Sequence, residues 1–180
     1  MMHNVFLAVF ASAAVLALLT LIFRTFRKSR RARRHRKYIR KSVELVKMFR
    51  SWGTGAEARI FGYLRKVNPM VFEELVLTCL ENAGVVVKRN RRYTGDGGVD
   101  GIFYLDDVCW LVQAKRYSSA INPAHVRAFV KKCNGRPGMF IHTGRTGSKS
   151  YSYLEQNVVL VSGNRLITFI LGSPLEVLRR

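Results

Sequence analysis

Acidic residues are scarce in this chain. Of 180 residues only 11 are Asp or Glu, against 31 Lys or Arg, for a formal net charge of +20. That shortage sets aside a cationic partner and predicts a polyanionic one, either nucleic acid or the anionic face of a membrane. Cysteine is scarce as well. Cys79, Cys109 and Cys133 show no CxxC spacing and cannot all pair with one another. A disulfide framework and a zinc site are therefore disfavoured, and the three fit a reducing compartment as small buried hydrophobes.

Charge is missing altogether from Val5 to Phe23, nineteen residues that also contain no Pro and no Gly. At about 1.5 Å per residue a helix of this length reaches roughly 28 Å, close to the hydrocarbon thickness of a bilayer. A core helix this long is rarely apolar on every face. The rival reading, a cleaved secretory signal, calls for positive charge before the apolar run and a small-residue cleavage site after it. Met1–Asn4 carry no Lys or Arg, and the run is followed instead by FRTFRKSRRARRHRK. Because positive charge stays with the cytoplasm, the expected topology is single-pass, N-terminus outside and the remainder inside.

Between Arg24 and Lys41 there are eleven basic residues and no acid. This run reads as a juxtamembrane clamp on anionic lipid. Positions 42–180 keep 20 basic and 11 acidic residues, a net of +9, so the rest of the chain is basic in its own right. A ragged helical pattern continues through Tyr38–Arg50 and breaks at Ser51–Gly55, and a further helix is expected over Ala56–Lys66. The expected organisation is a transmembrane anchor over 1–23, a basic juxtamembrane segment and helical stalk over 24–67, and a domain over 68–180.

Asn68-Pro69 opens the domain as a helix start, a capping side chain followed by a proline whose missing N–H costs nothing at the first helical position. Phe72, Leu75, Val76, Cys79, Leu80 and Ala83 form one apolar stripe, and Gly84 ends the run. Glu74 and Glu81 fall on the opposite side, toward solvent. Glu73 lies at the edge of the stripe, either an ordinary boundary glutamate or a carboxylate aimed into a cleft.

A first strand begins at Val85–Lys88, and Gly95–Gly98 is a turn by composition. Ile102–Leu105 and Val108–Val112 are strand-like runs separated by Asp106-Asp107. A tight hairpin there makes the residue numbers of every opposed pair sum to 213, so Asp100 faces Gln113. Opposed residues share a sheet face, and period-two alternation adds Lys115 to it, while Trp110, Val112 and Ala114 point into the core. A longer loop would shift this register. The trio of Asp, Gln carbonyl and Lys suits phosphodiester hydrolysis around Mg²⁺, which accepts a few hard oxygen ligands and keeps its waters. For three arbitrary polar residues, a surface hydrogen-bonded group without chemistry is the better reading.

Taken together, Phe72-Glu73, Gly95-Asp96-Gly97-Gly98-Val99-Asp100-Gly101 and Gln113-Ala114-Lys115-Arg116-Tyr117 resemble the catalytic domain of Mrr-type restriction endonucleases, within the PD-(D/E)xK nuclease superfamily. The likeness covers about Asn68–Gly172. It implies an α/β fold, a restriction-endonuclease-like αβββαβ core with a mixed central sheet flanked by helices, here preceded by the transmembrane helix. It implies that Asp100 binds metal (Mg²⁺ or Mn²⁺), that Gln113 stands where a second carboxylate is usual, that Lys115 is the catalytic lysine and that Glu73 supports the metal. The residue pattern agrees, with a helix over Ala124–Cys133 after Asn122-Pro123, strands at Met139–His142 and Val158–Val161, and a closing helix near Leu166–Leu171.

HTGRTGSKS, after the Met139 strand, departs from the family's usual loop. It is no nucleotide-phosphate loop, because Ser148 and not Gly precedes Lys149. Arg145 and Lys149 read either as DNA-backbone contacts or as part of a solvated loop, and Arg91, Arg92 and Arg116 join them as candidate DNA contacts. His125 and His142 lack partners at ligand spacing and read as structural. The function expected is Mg²⁺-dependent cleavage of double-stranded DNA in a restriction system, at the inner face of a bacterial inner membrane. A homodimer would supply the two active sites that a double-strand break needs. The alternatives are a non-catalytic membrane-tethered DNA-binding protein that keeps the nuclease fold, and a basic protein that only binds the lipid bilayer.

Overall fold

The computed structural model describes residues 2–90 and 99–178, with side chains from Val15 onward. The chain divides into two units, Met1–Lys37 and Tyr38–Arg180. Helix α1, Met2–Trp52, contributes to both. In the first unit the large apolar side chains of α1 are exposed, Leu16 at 64% and Phe23 at 67%. Among the described residues no helix is long and apolar enough to cross a membrane. Of the span expected over Val5–Phe23, only Val15–Phe23 lies within the described side chains.

The second unit continues with α2 (Glu57–Leu64), α3 (Pro69–Asn82), β1 (Val86–Arg89), β2 (Gly101–Leu105) and β3 (Val108–Lys115). After these come α4 (Pro123–Cys133), β4 (Gly138–His142), α5 (Ser148–Tyr151), β5 (Val158–Val161), α6 (Gly163–Leu171) and a 3₁₀ turn at Glu176–Leu178. The five strands lie in the order β1-β2-β3-β4-β5, with the first two pairings antiparallel and the last two parallel. From α3 to β4 this is the expected αβββαβ order, extended by β5 and α6.

The caps form as the sequence indicates. Met70 N donates to Asn68 Oδ1 at 2.9 Å, and Ala124 N donates to Asn122 Oδ1 at 2.9 Å. Each side chain satisfies one of the amides that a helix start leaves without a partner. The β2–β3 hairpin also closes in the expected register, with Leu105 opposite Val108 and Gly101 opposite Val112. Asp106 and Asp107 both take left-handed backbone, φ 50° and 61°, the pair of positive φ values that a two-residue primed turn requires.

Two apolar layers enclose the sheet. One face carries Phe103, Val112, Ala114, Met139, Ile141 and Val161 against α1, α2, α3 and α6, and the other sets Leu111, Phe140 and Leu160 against Val126, Phe129 and Val130 of α4. β4 is buried at every position, as a central parallel strand covered on both faces should be.

Two expectations are revised. The sequence assigns residues 24–67 to a basic juxtamembrane segment and helical stalk, whereas from Tyr38 onward the chain is part of the compact unit. Leu45, Val46 and Phe49 of α1 and Ile60 and Leu64 of α2 are buried in its core. Glu74, expected to face solvent, is 1% exposed and bound by Arg89 Nε at 2.9 Å. The reason is that α3 is covered on two sides. The sheet takes the apolar stripe, while α1 reaches the far side through a Ser42–Thr78 hydroxyl pair at 2.8 Å. Arg89 at the end of β1 also binds Glu81, so the acids opposite the stripe are tied to a strand.

Phe49→Ala should therefore cost about 3–5 kcal/mol, the range for a fully buried aromatic, read by urea unfolding of the full chain in detergent. A loss below about 1 kcal/mol would leave α1 outside the core after all.

Candidate active site

Asp100 sits just before β2, where three elements meet. Its backbone N–H donates to Val112 O at 2.8 Å, and its carbonyl accepts from Asn90 N at 3.2 Å. Its carboxylate is fixed too, since Ala114 N donates to Asp100 Oδ2 at 2.7 Å. Backbone and side chain are thereby locked to β3, and the register of the hairpin decides where the acid lies.

Along β3, Ala114 enters the core on the α3 side, whereas Gln113 and Lys115 line a cleft of about 240 Å³ on the α4 side. Gln113 is 7% exposed and Lys115 is half-buried. Lys115 is the last residue of its strand, so charges from both layers can reach it around the sheet's end. Glu73 does so from α3. Burial pushes its carboxyl up to about 8, the Asp100 carboxylate pushes in the same direction, and the Lys115 ammonium opposes both. Glu73 thus lies within electrostatic reach of both Asp100 and Lys115, and Gln113 lines the same cleft as Lys115.

The donor set is two carboxylates and one amide oxygen. No group of three His, Cys, Asp or Glu comes together among the described residues, so any cation here has to draw on Gln113 or water for further ligands. Oxygen donors of this kind fit a hard divalent ion. Two carboxylates beside each other, one of them held protonated near neutrality, also fit, because a cation can replace that proton.

The candidate DNA contacts are scattered. Arg116 lines the cleft, and its Nη1 donates to the Arg65 carbonyl just beyond α2. Arg145 and Lys149 are exposed between β4 and β5, with Arg145 bridged to the β3–α4 connection through Ser119 and Ile121. Arg91, Arg92 and the Gly95–Gly98 turn lie outside the described residues.

A family model described as a restriction endonuclease, the Mrr catalytic domain, matches residues 64–170. The chain belongs to the Mrr restriction endonuclease family. The Mrr match runs from the end of α2 into α6 and includes Glu73, Asp100, Gln113 and Lys115. Among curated proteins it is similar to the type IV methyl-directed restriction enzyme EcoKMrr of Escherichia coli strain K12, 31% identical over 129 residues, covering 65% of this chain and 42% of that enzyme. The chain thus spans less than half the length of this Mrr relative. No solved structure matches it.

Several side chains around the Mrr motif escape a reading of the sequence. Thr143 Oγ1 accepts from Tyr117 N at 2.8 Å and donates to Tyr117 O at 2.7 Å, clamping the chain two residues after Lys115. At Gly144 an added Cβ would lie 2.4 Å from Ser119 O and 2.9 Å from Tyr117 Cβ, so the β3–α4 connection rests directly on backbone that has no side chain. His142 is fully buried, its ring edge-on to Tyr117 and its Nε2 3.1 Å from Thr146 Oγ1. Nothing in the spacing of these residues along the chain announces the contacts.

Burial lowers the His142 pKa to about 4, against 6.5 for the free side chain. The unfolded chain therefore takes up a proton below about pH 6.5 that the folded one refuses until about pH 4. The expected outcome is a stability loss as pH falls through that window, up to about 3 kcal/mol. It should be visible as a steeper fall of Tm between pH 7 and 5 for wild type than for His142→Gln. Parallel curves would show that His142 is charged in the folded protein.

Proposed function

We propose that this protein is a metal-dependent DNA endonuclease of the restriction type, tethered to the cytoplasmic face of a membrane. The observation that supports it is the Asp100 carboxylate held by the Ala114 amide, with Glu73 within electrostatic reach of Asp100 and of Lys115. Membership of the Mrr family supports the nuclease, and its substrate would be double-stranded DNA. The net charge of +9 over residues 42–180 suits a phosphate backbone.

Asp100, Glu73 and Gln113 would hold Mg²⁺ or Mn²⁺. A divalent ion so held would lower the pKa of a bound water and polarise the scissile phosphate. Lys115 orients the attacking water and offsets the negative charge that develops on the phosphate oxygens. Its ammonium is well placed for this, on the last residue of a strand and facing an open cleft. Gln113 would contribute an oxygen without a charge, so the site would hold a cation with one negative charge fewer than a site with a third carboxylate. Arg116, Arg145 and Lys149 would position the DNA through its phosphates.

The membrane tether is supported by the uncharged Val5–Phe23 and by the basic run that follows. Exposure of every large apolar side chain described between Val15 and Phe26 agrees, since water is a poor solvent for such a surface. This reading places the basic segment on anionic lipid and the nuclease in the cytoplasm of a bacterium, with a homodimer providing two cutting sites. A second reading, a DNA tether without chemistry, draws on Gln113 alone.

The test uses the full chain in detergent with plasmid DNA and Mg²⁺ or Mn²⁺. Wild type should nick or linearise the plasmid, and Lys115→Ala and Asp100→Ala should each lose at least about a hundredfold in rate. Binding without cleavage in all three would favour the tether, and no DNA binding even at low salt would leave only the lipid reading. Independently of activity, a divalent cation should raise the Tm of wild type, and less so that of Asp100→Asn and Glu73→Gln. Removing residues 5–23 should shift the protein from the membrane to the soluble fraction of cells. Continued sedimentation with membranes, resistant to high salt, would sink the anchor.

A further inference from the structure

Tyr117 and His125 both line the cleft beside Lys115, one just past β3 and the other in the first turn of α4. The Tyr117 hydroxyl is hydrogen-bonded to His125 Nδ1. The ring centroids are 6.0 Å apart and the planes differ by 24°. Rings joined edge to edge by a hydrogen bond cannot also lie face over face, so the two are end to end and nearly coplanar. They form one flat aromatic plate.

The plate is held before any ligand arrives. Thr143 clamps the Tyr117 backbone at both its N–H and its carbonyl, and His142 meets the tyrosine ring edge-on at 85°. Ala128 and Phe129 contribute apolar lining to the same cleft, and Arg116 and Lys132 add cations to it. A site for a bare phosphate needs the cations but gains nothing from a flat ring system or an apolar floor. At about 240 Å³ the space is below the roughly 300–1,000 Å³ of small-molecule pockets, so it suits a single ring system and not a larger cofactor.

We propose that the plate is a stacking platform for one unpaired nucleobase of the DNA, seated next to the scissile phosphate, with Arg116 and Lys132 holding the adjoining phosphates. Bases within a duplex present only their edges to a protein, so a surface that takes a base by its face requires a nucleotide out of the stack. The site would favour DNA with an extrahelical or single-stranded nucleotide at the cut. This inference rests on the nuclease reading for its position, because Lys115 marks where the phosphate lies. It adds a substrate preference that the motif residues do not carry.

The measurement is equilibrium binding by fluorescence anisotropy with the full chain in detergent and EDTA, so that nothing is cut. Two probes are compared, a short duplex with one extrahelical nucleotide and the same duplex with an extrahelical abasic unit. They match in length and backbone chemistry and differ in the presence of the base. The base-bearing probe should bind roughly tenfold more tightly to wild type. His125→Ala, an exposed position, should bring that ratio close to one, and His125→Trp, which restores a flat ring, should keep it. A ratio near one in wild type, or a ratio unchanged in His125→Ala, overturns the platform. If plasmid cleavage persists in that case, the nuclease reading stands alone. If the ratio holds but no divalent ion supports cleavage, the platform stands and the nuclease reading falls.

Discussion

The hydrogen bond from the Ala114 amide to Asp100 Oδ2 ties the chemistry of this protein to the geometry of a hairpin. Side chains on adjacent residues of a strand point to opposite faces, so a slip of one residue between β2 and β3 would carry the Asp100 carboxylate away from the Ala114 amide. What prevents the slip is at the other end of the hairpin. Asp106 and Asp107, both in left-handed backbone, close the loop with two residues and leave no slack. A surface turn at the far end of the hairpin thus sets the position of the Asp100 carboxylate. Glu73 depends on the same register from the other side, since α3 packs on the sheet through residues neighbouring it in sequence.

Charge sets a second constraint. Burial pushes the Glu73 carboxyl up to about 8, and the Asp100 carboxylate adds to the rise, even with Lys115 opposing it. A third acid at position 113, at 7% exposure, would have to be desolvated and would add to that repulsion. The glutamine supplies a carbonyl oxygen without that penalty. In the cation site proposed above, the same balance would leave more of the coordination to the phosphate of the substrate.

The parts that local rules govern were legible in the sequence. The two Asn-Pro helix starts, the paired-aspartate turn and the register it imposes follow from capping and turn chemistry, and the structure has all of them. The convergence of Glu73 on the end of β3 was half legible, as a residue at the margin of an apolar stripe. What could not be read depends on contacts between distant segments. A helical wheel for α3 describes one buried face, but α1 covers a second, which hides Glu74 and Thr78. The last part of α1 looked like a stalk because its apolar pattern is ragged, and only packing against α2 and α3 shows it to be core. Tyr117, His125 and His142 come from the β3–α4 connection, α4 and β4, and no spacing along the chain links them.

Gly144 gives the cleft a hidden vulnerability. Its bare backbone lets the β3–α4 connection settle against the end of β4, and both Tyr117 and the entry to α4 take their positions from that seat. Even the smallest branched substituent there would act as a wedge, prising the aromatic pair from Lys115 while every motif residue stayed in place. Variation at this position would therefore be a route to inactive members of the family whose signature residues are all intact.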